Sequence, residues 1–137
     1  VRGIQPVGRL DEDTTGLLIL TDDGSLQHRL IHPKKHVAKV YEVTCRHPIS
    51  ELMVKKLLDG VMLDGEKKPV KADSIELKTE HVLWMTISQG KYHQVKRMIA
   101  AVSNRVDRLH RIGVGKFSLP EDLPVGEWRF INVSDLI

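Results

Sequence analysis

Gly8-Arg9-Leu10-Asp11-Glu12-Asp13-Thr14-Thr15-Gly16-Leu17-Leu18-Ile19-Leu20-Thr21-Asp22-Asp23-Gly24 is the stretch on which the architecture turns. A polar, turn-prone loop rich in carboxylates leads straight into an apolar run. Residues 17–21 read as a buried strand, closed by the turn signal Asp22-Asp23-Gly24. A loop tied to a strand is held rigidly at one end, so a carboxylate within it can be aimed at a substrate. Arg9 is close enough in sequence to help keep Asp11 ionised. The same residues also fit an ordinary charged loop, with Thr14 and Thr15 making local turn hydrogen bonds. A third reading is a calcium loop, since Asp11, Asp13, Thr15, Gly16 and Asp22 fall at the ligand and turn positions of an EF-hand-type pattern. It is the poorer match: the last ligand is a short Asp, Thr15 replaces a carboxylate or amide, and no helix precedes the loop.

Outward from this stretch, elements alternate with short turns. A short helix follows Gly24 with Leu26, Leu30 and Ile31 inward. Residues 37–45 read as a strand that projects Val37, Lys39, Tyr41, Val43 and Cys45 to one side. Ser50 caps a helix in which Val54, Leu57, Leu58 and Val61 recur at helical spacing, stopped near Gly60, and Asp64-Gly65 marks a turn. Residues 70–79 and 82–88 read as antiparallel neighbours, the first changing phase near Ser74 as a bulge would require. The cleanest helical signal lies in 92–103, with Val95, Met98, Ile99 and Val102 on one stripe, Arg97 facing away and Lys96 on the flank. Strands are expected at 106–112 and 117–119, a turn at 123–126 and a last strand at 128–133, with Trp84 and Trp128 in the core. The expected class is α+β, a mixed, largely antiparallel sheet flanked by helices.

With 137 residues, 41% of them hydrophobic, the chain can bury one ordinary core, and residues 1–137 read as a single domain. No apolar run approaches the roughly 20 residues needed to cross a bilayer, and no basic leader or signal segment opens the sequence, so it reads as cytosolic. Cys45, the sole cysteine, has no partner for a disulfide or a CxxC zinc site and reads as a small core residue. The net charge is only +3, but between Gln89 and Lys116 seven cations (Lys91, Lys96, Arg97, Arg105, Arg108, Arg111 and Lys116) face a single acid, Asp107. That asymmetry suits a polyanion partner, or a solvated charged face. His28, His32 and His36 recur at intervals of four and invite a metal reading, yet no HExxH pattern or nearby cysteine completes a site. No G-x-S-x-G elbow supports hydrolase chemistry. Gly90 precedes a helix start loaded with donors and cations, where backbone N–H groups joined by Lys91 and Lys96 could hold a phosphate. Tyr41 could stack on a base.

Taken in order, Gly8-Arg9-Leu10-Asp11, Thr14-Thr15-Gly16-Leu17, Thr21-Asp22-Asp23-Gly24, Lys39-Val40-Tyr41, Gly90-Lys91-Tyr92-His93-Gln94-Val95-Lys96-Arg97-Met98, Leu109-His110-Arg111-Ile112-Gly113 and Leu123-Pro124-Val125-Gly126-Glu127-Trp128-Arg129 resemble the pseudouridine synthases. The resemblance is greatest to the branch that modifies small-subunit ribosomal RNA, and it spans nearly the whole chain. It implies an enzyme that isomerises a specific uridine of 16S ribosomal RNA to pseudouridine. Asp11 would be the catalytic aspartate, Tyr41 the active-site tyrosine, and the cation of the 93–98 motif the partner of Asp11. That position is commonly Arg in related branches and is Lys96 here, with Arg97 adjacent. Arg9, Lys39, Lys91, His93, Arg97, Arg108 and Arg111 would contact RNA. The resemblance further implies no metal or other cofactor, a ribosomal RNA or ribosomal assembly intermediate as partner, and a cytoplasmic monomer away from membranes. The family's amino-terminal S4-like domain and a first Lys-Pro-containing segment have no counterpart, so the catalytic domain is expected to be truncated at its amino terminus. Two alternatives stand beside this reading: a non-catalytic RNA-binding module that keeps the basic surface, and a synthase acting on large-subunit ribosomal RNA or tRNA.

Overall fold

Strand β4 (Lys39–Cys45), free of glycine and proline and rich in β-branched residues, is the centre of the structure. It pairs antiparallel on one side with β6 (Val82–Ile87) and on the other with β7 (Val106–Val114). The sheet runs β2 (Thr14–Gly16), β7, β4, β6, β5 (Ser74–Leu77), with β8 (Phe117–Ser118) also on β7. All pairings are antiparallel except β2 with β7, which is parallel. A separate short ribbon joins β1 (Gln5–Pro6) to β3 (Leu20–Thr21). Three helices, α1 (Gly24–Ile31), α2 (Glu51–Asp59) and α3 (Gln94–Ala101), complete the α+β architecture. The computed structural model describes residues 3–8, 10–31, 37–91 and 93–136.

Two apolar clusters form the core. The larger joins Leu57 of α2 and Val95, Met98 and Ile99 of α3 to Val43, Cys45, Leu83, Met85, Ile87 and Leu109 of the sheet. Burial pushes the Cys45 thiol up to about 11, as expected of a sealed core cysteine. The smaller cluster gathers Val7, Leu17, Ile19, Leu26, Leu30, Val114 and Leu136. Ser50 caps α2, its hydroxyl accepting from the Met53 N–H at 3.2 Å.

Four expectations are corrected. The apolar run 17–21 is not one buried strand: Leu17 and Ile19 are buried, but Leu18 and Leu20 are exposed. The chain changes partners within it, the Leu17 N–H donating to the Arg111 carbonyl and the Ile19 carbonyl accepting from Val7. Ile31 and Leu58 are exposed and not in the core, Ile31 lining the cleft, since the helices meet the core on narrower stripes than predicted. The phase change near Ser74 is a change of partner and not a bulge: Val70 bridges to Val61, and pairing with β6 begins at Ser74. The stretch 128–133 forms no strand but an irregular segment ending in a 3-10 turn, Val133–Asp135, and Trp128 is 71% exposed in an edge-on contact with Phe130. Trp84 is half-buried, its indole N–H donating to Glu42.

Gly16 is where β2 can lie against β7. A Cβ built there would meet the Arg111 backbone at 2.2 to 2.9 Å, and φ is +106°, in the region that favours glycine. Gly16→Ala is expected to destabilise the fold by about 3 kcal/mol or more. Denaturant unfolding checks this, and a loss below about 1 kcal/mol would show that β2 is not held as tightly as its backbone contacts imply.

Candidate active site

Between the two apolar clusters lies a cleft of about 530 Å³, within the usual range for a small-ligand site. Val7, Ile19, Leu30, Val37 and Val114 close it on one side, and Tyr41, Ile87, Val95 and Leu109 on the other. Its polar lining includes Asp11, Thr14, Lys39, Lys91, His93, Lys96 and Arg111. Seven of the ten candidate site residues therefore converge: Asp11, Tyr41, Lys96, Lys39, Lys91, His93 and Arg111.

The Asp11 loop is fixed where it enters β2. Thr14 donates its N–H to the Asp11 carbonyl at 2.9 Å, closing a tight turn, and Thr14 to Gly16 then pair with Leu109 to Arg111. The expected side-chain turn bonds do not form. Thr15 Oγ1 instead reaches His110 Nδ1 at 2.8 Å, and the buried Thr14 hydroxyl has no partner among the described residues. Strand pairing of Thr15 and Gly16 is also incompatible with a calcium loop. Among the described residues no group of three or more His, Cys, Asp or Glu side chains is placed to hold a metal. His32 and His36, like Arg9, lie outside the described residues.

Lys96 projects from α3 between two acids. Its Nζ lies 3.5 Å from Asp11 Oδ2 and in direct contact with Asp13 Oδ1. The hydrogen bond from Lys96 holds the Asp13 carboxyl below its usual range, and the Asp13 partner raises the Lys96 ammonium above its own. On the other side of Asp11, His93 Nε2 stands 3.6 Å from Oδ1. His93 precedes α3 with φ at +45°, an unusual conformation for a residue with a side chain, and makes no side-chain capping bond. Arg97 does not share this position: its Nη2 donates to the Asp64 carbonyl, and it is not part of the cleft lining. Arg108 is exposed, while its neighbours Leu109 and Arg111 are buried, because alternate residues of β7 face opposite sides of the sheet.

The helix-start phosphate site predicted around Gly90 has its cations already engaged. Lys91 Nζ pairs with Glu66, Lys96 with the two aspartates, and the Lys91 N–H donates to Gln94 Oε1. Sequence reasoning placed the turn at Asp64-Gly65 but did not find that it buttresses this segment, through Glu66 with Lys91 and the Asp64 carbonyl with Arg97, nor that Asp13 is the direct partner of Lys96. The role of the turn has no local signal, since its contacts are long-range. Asp13 had one, lying one residue beyond Asp11 and its neighbour in the same polar loop.

Tyr41 owes its position to an irregularity. Pairing between β4 and β7 runs Val40 with Gly113 and then Tyr41 with Arg111, leaving Ile112 bulged. The bulge sets Tyr41 directly across from Arg111 at the cleft. In solution, the Asp13 carboxyl should titrate below its ordinary value of 3.8. The ion pair is intact above that folded value and lost as pH falls through it. Lys96→Met should move the Asp13 titration upward, as read by carboxyl NMR, and an unchanged titration would show that the pair does not form.

Residues 1–101 match the family model described as RNA pseudouridylate synthase. Over 97% of its length the chain is 44% identical to the ribosomal small subunit pseudouridine synthase A of Haemophilus influenzae and to that of Escherichia coli K12, covering 57% and 58% of those proteins. It is 47% identical over 96% of its length to an uncharacterized RNA pseudouridine synthase of Bacillus subtilis, covering 56% of it. The chain thus spans somewhat over half the length of these relatives. A crystal structure of a pseudouridylate synthase superposes with a TM-score of 0.92 at 44% identity, covering 97% of this chain and 58% of that one. An H/ACA ribonucleoprotein structure bound to a substrate RNA shares the fold at a TM-score of 0.62 and 18% identity, over 86% of this chain and 40% of that one. With its mixed sheet and its aspartate loop set at a cleft, the chain belongs to the RNA pseudouridylate synthase family.

Proposed function

We propose that the intact protein converts a specific uridine of ribosomal RNA, in the small-subunit 16S RNA, to pseudouridine. The observation that carries this reading is the Asp11 carboxylate at the wall of a nucleotide-sized cleft, with Lys96 at 3.5 Å and Tyr41 lining the same space. Family membership and the names borne by the H. influenzae and E. coli relatives support the choice of substrate. The protein works as a cytoplasmic monomer on ribosomal RNA or an assembly intermediate, away from membranes. Among the described residues no helix is long and apolar enough to cross one.

Isomerisation breaks the N1–C1' bond, turns the uracil and joins C5 to C1'. The sugar passes through an electron-poor C1', so a positioned carboxylate is the chemical requirement, as in glycoside cleavage. Asp11 meets it by attacking C1' or by removing a C2' proton. Because C1' is unreachable inside stacked RNA, the target nucleotide is flipped into the cleft, where Tyr41 packs on the base and assists removal of the C5 proton. Lys96, 3.5 Å from Asp11, orients the carboxylate and offsets the cost of enclosing it as RNA excludes water. The reaction neither gains nor loses electrons or atoms, so these side chains supply all the chemistry it demands. Exposed cations such as Arg108, together with Arg9 and Arg97, contribute phosphate contacts that position the RNA without reading its sequence.

Pseudouridine mapping in ribosomal RNA from cells lacking the protein should reveal one missing site, restored by the wild-type gene and not by Asp11→Asn. Asp11→Asn is expected to bind RNA within a few-fold of wild type, and retained turnover would refute the assignment. Tyr41→Phe should bind substrate but form product more slowly in single-turnover assays. Lys96→Ala should lose activity by at least about tenfold while Arg97→Ala keeps most of it; the reverse order would move the ion-pair role to Arg97.

A further inference from the structure

Lys39 and Arg111 stand on the adjacent strands β4 and β7 and line the same cleft. Arg111 is only 3% exposed, and its Nε donates to the Leu17 carbonyl at 2.8 Å. Among the described residues neither side chain has a carboxylate within ion-pair distance. The acids nearby are engaged elsewhere, Asp11 and Asp13 with Lys96 and Glu66 with Lys91. Burial, and then the charge of Arg111, pull the Lys39 ammonium below the usual lysine range. The amine lies beside Gly90, its Nζ 3.9 Å from where a Cβ would stand. Two like charges facing one cleft, without compensating acids, disfavour the empty site and favour negative charge that arrives with a ligand or develops on it. Tyr41 lies between them, opposite Arg111 in register and two residues from Lys39 on the same strand face.

We propose that Lys39 and Arg111 form an anion-stabilising site for the uracil ring, acting on the charge the ring carries once its glycosidic bond is broken. The inference rests on the function proposed above. When N1–C1' breaks, its electron pair stays with the ring and spreads over N1 and the two carbonyl oxygens, while C1' bonds to Asp11 or the C2' proton passes to it. The ring is an anion until C5 closes the new bond to C1' and Asp11 regains its charge. C5 then loses its proton and N1 gains one, so the product is a neutral isomer. A cation beside a ring oxygen stabilises this anion far more than neutral uridine, and its effect falls on the rate of bond breaking and not on binding.

Lys39 carries the test, because Arg111 also holds the Leu17 backbone. In the intact protein, Lys39→Met should slow single-turnover conversion of a substrate RNA about 10- to 100-fold, with RNA Kd within about threefold and the melting temperature unchanged or raised. Lys39→Arg should recover most of the rate. On RNA carrying 5-fluorouridine at the target, where fluorine already withdraws charge from the ring, the loss in glycosidic cleavage should be several-fold smaller. Weakened RNA binding at an unchanged rate would overturn the inference in favour of a backbone-phosphate site, and a wild-type rate in Lys39→Met would overturn it outright. A wild-type protein that converts no uridine would sink the proposed function as well, whereas an active one indifferent to Lys39→Met would sink this inference alone.

Discussion

The reciprocal exchange between Leu17 and Arg111 holds the rest of the site in place. The Leu17 N–H donates to the Arg111 carbonyl, and the Arg111 guanidinium returns a bond to the Leu17 carbonyl, both at 2.8 Å. Together with the glycine next to it, this locks a three-residue parallel strand to the edge of an otherwise antiparallel sheet. Parallel pairing sets the direction in which the chain enters the sheet, and so sends the preceding loop, with its aspartate, over the cleft and not away from it. Arg111 thereby serves two ends at once. It fastens the loop that carries the carboxylate and contributes positive charge to the same cavity.

Charge is segregated inside this small space. The cations nearest the loop and the start of α3 are matched with acids, Lys96 with two and Lys91 with one. Among the described residues, those on the sheet floor, Lys39 and Arg111, are not. The division follows from geometry. Acids enter the cleft only from loops, because the floor is built from alternate residues of β4 and β7, and on that face these strands offer Tyr41, Val43 and Leu109 beside the two cations. A nucleotide in the cleft thus meets a neutralised rim and a positive floor.

Much of this can be read from residue order. The alternation in 37–45 puts Lys39 and Tyr41 on one face, and the stripe of α3 places Lys96 at its flank, because period-two and helical patterns survive wherever one side of an element is buried. The run 17–21 misleads because four consecutive apolar residues, Leu17 to Leu20, imply burial on both faces, whereas the chain there passes between two partners and leaves Leu18 and Leu20 in water. Trp128 misleads for a related reason: a large aromatic beside β-prone neighbours reads as core, yet it packs chiefly against Phe130 outside the sheet. The stripe of α3 also separates Lys96 from Arg97, but the distant Asp64 carbonyl that takes the Arg97 guanidinium is information that adjacent letters do not hold.

Cys45, sealed beneath the sheet with its thiol shifted well above neutrality, leaves the surface of the chain without a reactive thiol. A cysteine introduced at an exposed position such as Ser25 would then be the only one to take up a maleimide dye under native conditions. Fluorophores could be attached at chosen points around the cleft mouth without first removing a native residue, which opens the docking of RNA to distance measurements in solution.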